Sequence, residues 1–168
     1  MKRPAARTLL LPLALTLAGT AFARDSLGVF GNWGAFRDPA VPRCYAIAMA
    51  DKVAGSEQAF QPYFTVGYWP RRGIRGAVHV RLARRLAPGS KVIVSFPEAN
   101  FALKTGQADA WPADQTVNAG ILARMRSAKS MVVIARGADG RTFRDRYALT
   151  GAASALDAAA LGCAGNTG

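Results

Sequence analysis

The chain has 168 residues, 51% of them hydrophobic, and 22 Lys or Arg against 10 Asp or Glu give it a formal charge of +12. That length suits one domain around a single core. Two cysteines and one histidine, without close spacing, are too few for a zinc centre, so no metal or cofactor is expected.

Residues 1–23 read as an export signal. Lys2, Arg3 and Arg7 form a basic start, Leu9 to Ala18 an apolar core, and Ala21-Phe22-Ala23 a small-residue cleavage site. The apolar core is too short to span a bilayer, and it contains Pro12. No cysteine follows the cleavage site to carry a lipid, and no later apolar run approaches ~18 residues, so no transmembrane span is expected after signal cleavage. Cleavage removes Lys2, Arg3 and Arg7 and no acid, which lowers the charge from +12 to +9. Most of the remaining cations are arginines, whose planar fork suits phosphate, sulfate and carboxylate. Lipopolysaccharide phosphates, anionic lipid headgroups, acidic glycans and an envelope protein are the candidate partners, and nucleic acid is the least expected.

Short strands dominate the chain from there. Cys44 to Met49 and the aromatic, β-branched run Tyr63 to Trp69 read as strands. Pro70-Arg71-Arg72-Gly73 is a turn. Ala77 to Leu86 alternates, with Val78, Val80 and Leu82 on one face and His79 and Arg81 on the other. Pro88-Gly89 is a turn, and Lys91 to Phe96 and Asn100 to Lys104 are further strands. Asp114 to Ala128 changes period. Val117, Ile121, Leu122 and Met125 fall at helical spacing and Asp114 is placed to cap the helix, although Gly120 weakens it. Ser130 to Arg136 and Arg141 to Leu149 flank Gly137-Ala138-Asp139-Gly140, a hairpin signal. An Ala-rich helix from Thr150, which can cap it, to Leu161 closes the domain, with Gly162 as its stop and residues 165–168 as a disordered tail. Six to eight strands with one inserted helix and one terminal helix make residues 24–164 a mainly β, antiparallel domain, a sandwich or partly open barrel.

In an exported chain, Cys44 and Cys163 are most simply one disulfide. The bridge would fasten the last helix to an early strand and close a loop worth roughly 4–5 kcal/mol in chain entropy. Trp33 is expected in the core near that bridge, with Pro39 and Pro42 steering the chain into the strand.

The opening "FGNW", the Cys-headed strand "RCYAIA", a late "ALKTG", and "SMVVIARGADGRTFRDRYALTGAASAL" before a terminal Cys resemble the invasion-associated locus B family of exported α-proteobacterial proteins. The resemblance covers most of residues 24–164. It implies an immunoglobulin-like β-sandwich in the periplasm, secreted, or associated with the outer membrane. It also implies a protein that is not an enzyme, and it offers no catalytic residue to carry over.

The residues themselves point the same way. His79 is the one base of its kind, and a triad with Ser95 and an Asp has no nucleophile-elbow motif behind it. A small periplasmic hydrolase or hydrolase-associated module using His79 is therefore the rival reading. Asp109 and Asp114 flank Trp111-Pro112 with no sign that they converge. The strongest feature is basic: Arg71, Arg72 and Arg75 in a turn beside Tyr68 and Trp69, then Arg81, Arg84 and Arg85. These six are the candidate anion-binding residues, against the plainer reading that they protect an edge strand from aggregation. Arg124, Arg126, Lys129, Arg141, Arg144 and Arg146 read as solvated faces.

Overall fold

The computed structural model describes residues 24–51 and 59–164. The signal peptide and the C-terminal tail expected from the sequence lie outside them. Among the described residues, no helix is long and apolar enough to cross a membrane.

Ten strands and two helices follow one another in the order β1 (Asp25–Phe30), β2 (Trp33–Asp38), β3 (Arg43–Met49), β4 (Tyr63–Trp69), β5 (Ile74–Arg81), β6 (Val92–Phe96), β7 (Ala99–Thr105), β8 (Asp109–Pro112), α1 (Gln115–Ser127), β9 (Ser130–Arg136), β10 (Thr142–Ala148) and α2 (Ala152–Ala164). The strands form one antiparallel ladder in the order β1-β2-β3-β4-β5-β8-β7-β6-β9-β10. The domain is thus mainly β and sandwich-like, with one inserted and one terminal helix. A single ladder folds over to make both layers. At its fold, Ala83 N–H donates to the Asp145 carboxylate at 3.2 Å, and at the far side Asp51 N–H donates to Arg146 O at 2.8 Å and Trp33 Nε1 to Ala148 O at 3.0 Å.

Alternation explains the layers. β5 buries Val78 and Val80, and β6 buries Val92, Val94 and Phe96, while their intervening side chains face outward. β10 turns Phe143, Asp145 and Tyr147 inward and Arg144 and Arg146 outward. Trp33, Phe64 and Tyr147 meet edge-on at the centre, at 6.2 and 5.9 Å between rings. Such contacts favour the positive ring edge against the negative face.

The structure departs from the sequence reading in five places. There are ten strands, because Asp25–Phe30 and Trp33–Asp38 form a hairpin and Asp109–Pro112 a short strand. β5 runs from Ile74 to Arg81, earlier than Ala77 to Leu86: after Arg81 the chain leaves the ladder to bond Gln107, Ala108, Arg136 and Ala138. Trp33 is core, but by register Cys44 faces Arg37, four residues farther along β2, so Trp33 packs on Phe64 away from the bridge. Gly162 does not stop α2, which runs to Ala164; it is a position where a Cβ would meet the Leu27 side chain of β1. Thr150 serves the hairpin instead of a cap, its carbonyl accepting from Asn32 N–H at 3.1 Å. The neighbouring Gly151 has φ of 85°, and a Cβ there would overlap the Phe30 carbonyl.

The disulfide forms as expected. Cys44 in β3 joins Cys163 in α2 with their Cα atoms 5.8 Å apart. α2 packs Ala152, Ala155, Leu156 and Ala159 into the core and lies against β1, β2, β3 and β4.

Candidate functional site

The β4–β5 connection builds an exposed cationic tip. Pro70 opens a single 3-10 turn over Pro70–Arg72, suited to a position where its missing N–H costs nothing. Gly73, at φ 66°, closes the turn by donating to Pro70 O at 3.0 Å. This throws Arg71 and Arg72 into solvent, and Arg75, opposite Tyr68 in the register, is exposed beside them. Among the described residues no ion pair reaches any of the three.

The other three arginines stand apart. Six residues separate Arg75 from Arg81, about 20 Å along a strand. Arg81 Nη1 donates to Asp109 Oδ2 at 2.6 Å, Arg84 Nη1 to Asp139 Oδ2 at 3.1 Å, and Arg85 Nη1 to Gln107 Oε1 at 2.6 Å. Arg81 also lies 4.3 Å over the Phe60 ring. Asp139 is held ionised, its carboxyl pushed below the usual range by the Arg141 backbone N–H and by Arg84. The six arginines are therefore two clusters at opposite ends of β5, and the continuous basic face suggested by the sequence is not formed. β5 pairs with β4 throughout but with β8 only at Val80 and Arg81, so from Ile74 to His79 its other side is a strand edge; the edge-protecting reading fits Arg75, while Arg81 lies in a paired stretch.

A mainly apolar pocket of about 190 Å³ adjoins the tip. Tyr68, Pro70, Ile74 and Arg75 form one wall, and Ala160, Cys163 and Ala164 of α2 form the other. The disulfide holds these walls together, since Cys163 is bonded to β3, the strand next to β4. Burial pushes the Tyr68 hydroxyl pKa up, so the wall is uncharged there. On the other side of the Ile74–Arg75 ridge, a groove of about 360 Å³ runs between β5 and the start of α1. There β8 no longer reaches β5. Asn118 takes the place of a strand, accepting from Val78 N–H at 3.0 Å and donating to Gly76 O at 2.8 Å. Asp114 caps α1, its Oδ1 accepting from Val117 N–H at 2.9 Å.

His79 sits near the paired cluster. Its Nε2 lies 3.0 Å from Asp109 Oδ1, and the rings of Tyr63 and Trp111 stand 5.9 and 6.2 Å from it. Asp109 thus bridges His79 and Arg81. No serine is among the hydrogen-bond partners of His79 in the described residues, and Ser95 sits on β6, beyond β8 and β7 in the ladder. Asp109 and Asp114 do not converge either, since Asp114 is committed to the helix cap. Of the outlying cations, Arg124 pairs with Glu98 and Arg126 with Asp157, while Arg144 and Arg146 stand outward on β10.

The sequence reading missed one cluster. Phe36, Tyr45 and Trp69 come from three neighbouring strands, with the Arg43 guanidinium 4.9 Å from the Tyr45 ring and 6.0 Å from that of Trp69. Their outward positions within each strand were the available signal, but the register that joins them was not. Compared with known proteins, the chain matches no protein-family model, no curated protein and no solved structure.

Proposed function

We propose that the protein is an exported, non-enzymatic envelope protein whose Arg71–Arg75 tip binds an anionic component of the envelope, such as acidic lipid or lipopolysaccharide. The observation that carries this reading is the division of the arginines. Arg81 and Arg84 meet carboxylates and Arg85 the Gln107 amide oxygen, contacts that help hold the fold, whereas Arg71, Arg72 and Arg75 meet no carboxylate among the described residues and stand exposed at one tip. The disulfide, the signal-like start and the resemblance to the invasion-associated locus B family support export to the periplasm or beyond. The rival hydrolase reading has less support: the His79 ring has its acid, but among the described residues no hydroxyl or thiol hydrogen-bonds that ring, and the Thr65 hydroxyl reaches only the His79 carbonyl, at 3.5 Å.

Cosedimentation with vesicles of phosphatidylglycerol tests the proposal. The protein should pellet at low salt and be released as ionic strength screens the contact. The R71E/R72E/R75E variant should stay in the supernatant, while R144E/R146E should still pellet. Wild-type protein that ignores the vesicles, or a tip reversal without effect, overturns the reading.

A further inference from the structure

We infer that the pocket between the 3-10 turn and the end of α2 is a binding site for the acyl chain of a single-chain anionic amphiphile, with Arg75 taking the head group. This rests on the proposed anionic preference of the tip and adds a second, apolar determinant to it. The two features are contiguous: Arg75 is part of the pocket wall, and Arg71 and Arg72 belong to the turn that begins with the lining residue Pro70. Ile74, 37% exposed, forms an apolar lip beside these charges. The remaining wall is Tyr68, Ala160, Cys163 and Ala164, with no acid in it. An apolar slot rimmed by cations that meet no carboxylate among the described residues is complementary to a carboxylate or phosphate carried on a hydrocarbon chain. A cationic amphiphile would place its charge against Arg75.

Size narrows the occupant. A volume of about 190 Å³ holds roughly six water-sized groups, at about 30 Å³ each, so it takes a chain end and not a whole diacyl lipid. Each methylene that enters should raise affinity about fourfold, and the gain should stop once the slot is full. The alanines of α2 matter here. At Ala160 and Ala164 the helix offers methyl groups where larger side chains would occupy the slot.

Equilibrium dialysis of the full chain with dodecanoate, below its micelle concentration, tests the site. Wild-type protein should bind dodecanoate more tightly than butanoate by at least tenfold, and dodecyltrimethylammonium at least tenfold more weakly than dodecanoate. A160W, which fills the slot, should weaken dodecanoate by tenfold or more while still pelleting with phosphatidylglycerol vesicles. I74E at the exposed lip gives the same loss if A160W does not fold, as judged by circular dichroism. Dodecanoate binding equal in wild type and both variants overturns the inference, as does equal binding of the cationic amphiphile. Vesicle binding without dodecanoate binding overturns it and leaves the tip reading standing. Loss of both overturns both.

Discussion

The two ends of β5 carry the same side chain in opposite circumstances. At the end near Arg81, each arginine meets a partner that ties a separate segment into place: Asp109 of β8, Asp139 of the β9–β10 turn, Gln107 before β8. At the end near Arg75, three arginines meet no carboxylate among the described residues, and an apolar pocket opens beside them. The difference shows that a basic balance is not a uniform property of this surface. Where acids are placed opposite, arginine acts as a tie within the fold; where they are withheld, its charge remains available to a ligand. The tip end is closed by a disulfide and the far end by buried polar contacts, so the two can be perturbed separately.

The largest expected effect is at the tip end. Replacing Cys44 and Cys163 by serine releases a closure spanning 119 residues, worth roughly 4–5 kcal/mol by chain entropy. α2 contributes mostly alanine to the core, with Leu156 as its one large fully buried side chain, so little other burial compensates. Urea melts should show that loss, and wild-type protein under reductant should shift by a similar amount. If the variant melts within about 1 kcal/mol of wild type, packing alone holds α2 and the bridge is not what closes this end.

At the far end the next effect depends on pH. Asp145 points inward from β10, and burial pushes its pKa up from 3.8 to about 6 despite the Ala83 N–H and nearby Arg84, which act in the other direction. A carboxyl that holds its proton more tightly when folded favours the folded state below the unfolded pKa. That contribution is lost as pH rises through about 6. The shift corresponds to roughly 3 kcal/mol of stability between pH 3.5 and pH 7 from this group. Asp145→Asn keeps an acceptor for Ala83 and removes the titration. Melts of the variant should lose this slope and gain stability above pH 7. An unchanged slope would assign the pH response to other groups.

How much of this could be read in advance follows from the range of the interactions. Strands with strict alternation, such as Val92 to Phe96, and the Asp139-Gly140 hairpin are local, and their positions were legible. So was the α1 cap, because Asp114 and Val117 are three residues apart. The disulfide was legible because two cysteines leave only one pairing within the chain. β1 and β2 were not, since their burial comes from α2 and β3 and their glycines dilute the alternation. Gly120, which argued against α1, is required by a distant neighbour: a Cβ there would lie 2.6 Å from a Phe101 ring carbon. The six arginines were all seen as candidates, but partners 22 to 55 residues away in sequence decide which are tied down, and no local pattern reports that.

A smaller effect tests the ties at the far end. Asp109→Asn leaves Arg81 and His79 without their shared anion. Both side chains are partly exposed, so about 1 kcal/mol of stability should be lost. The loss should shrink in Arg81→Gln, where the tie is already broken, and a double-mutant cycle in urea measures that coupling. Additive single and double variants would mean that the pairing does not hold the strands.

The smallest effect on stability is expected from R71E/R72E/R75E, and that small value is itself informative. Reversing three exposed charges at a turn with no described partners should leave the melting curve within about 0.5 kcal/mol of wild type. If these arginines served the fold as Arg81 and Arg84 do, charge reversal would break their ties and the variant would unfold more readily. A variant that melts like wild type but no longer pellets with anionic vesicles would separate the two uses of arginine within one strand. A variant that melts substantially earlier would show that the tip is structural, and the contrast between the two ends of β5 would disappear.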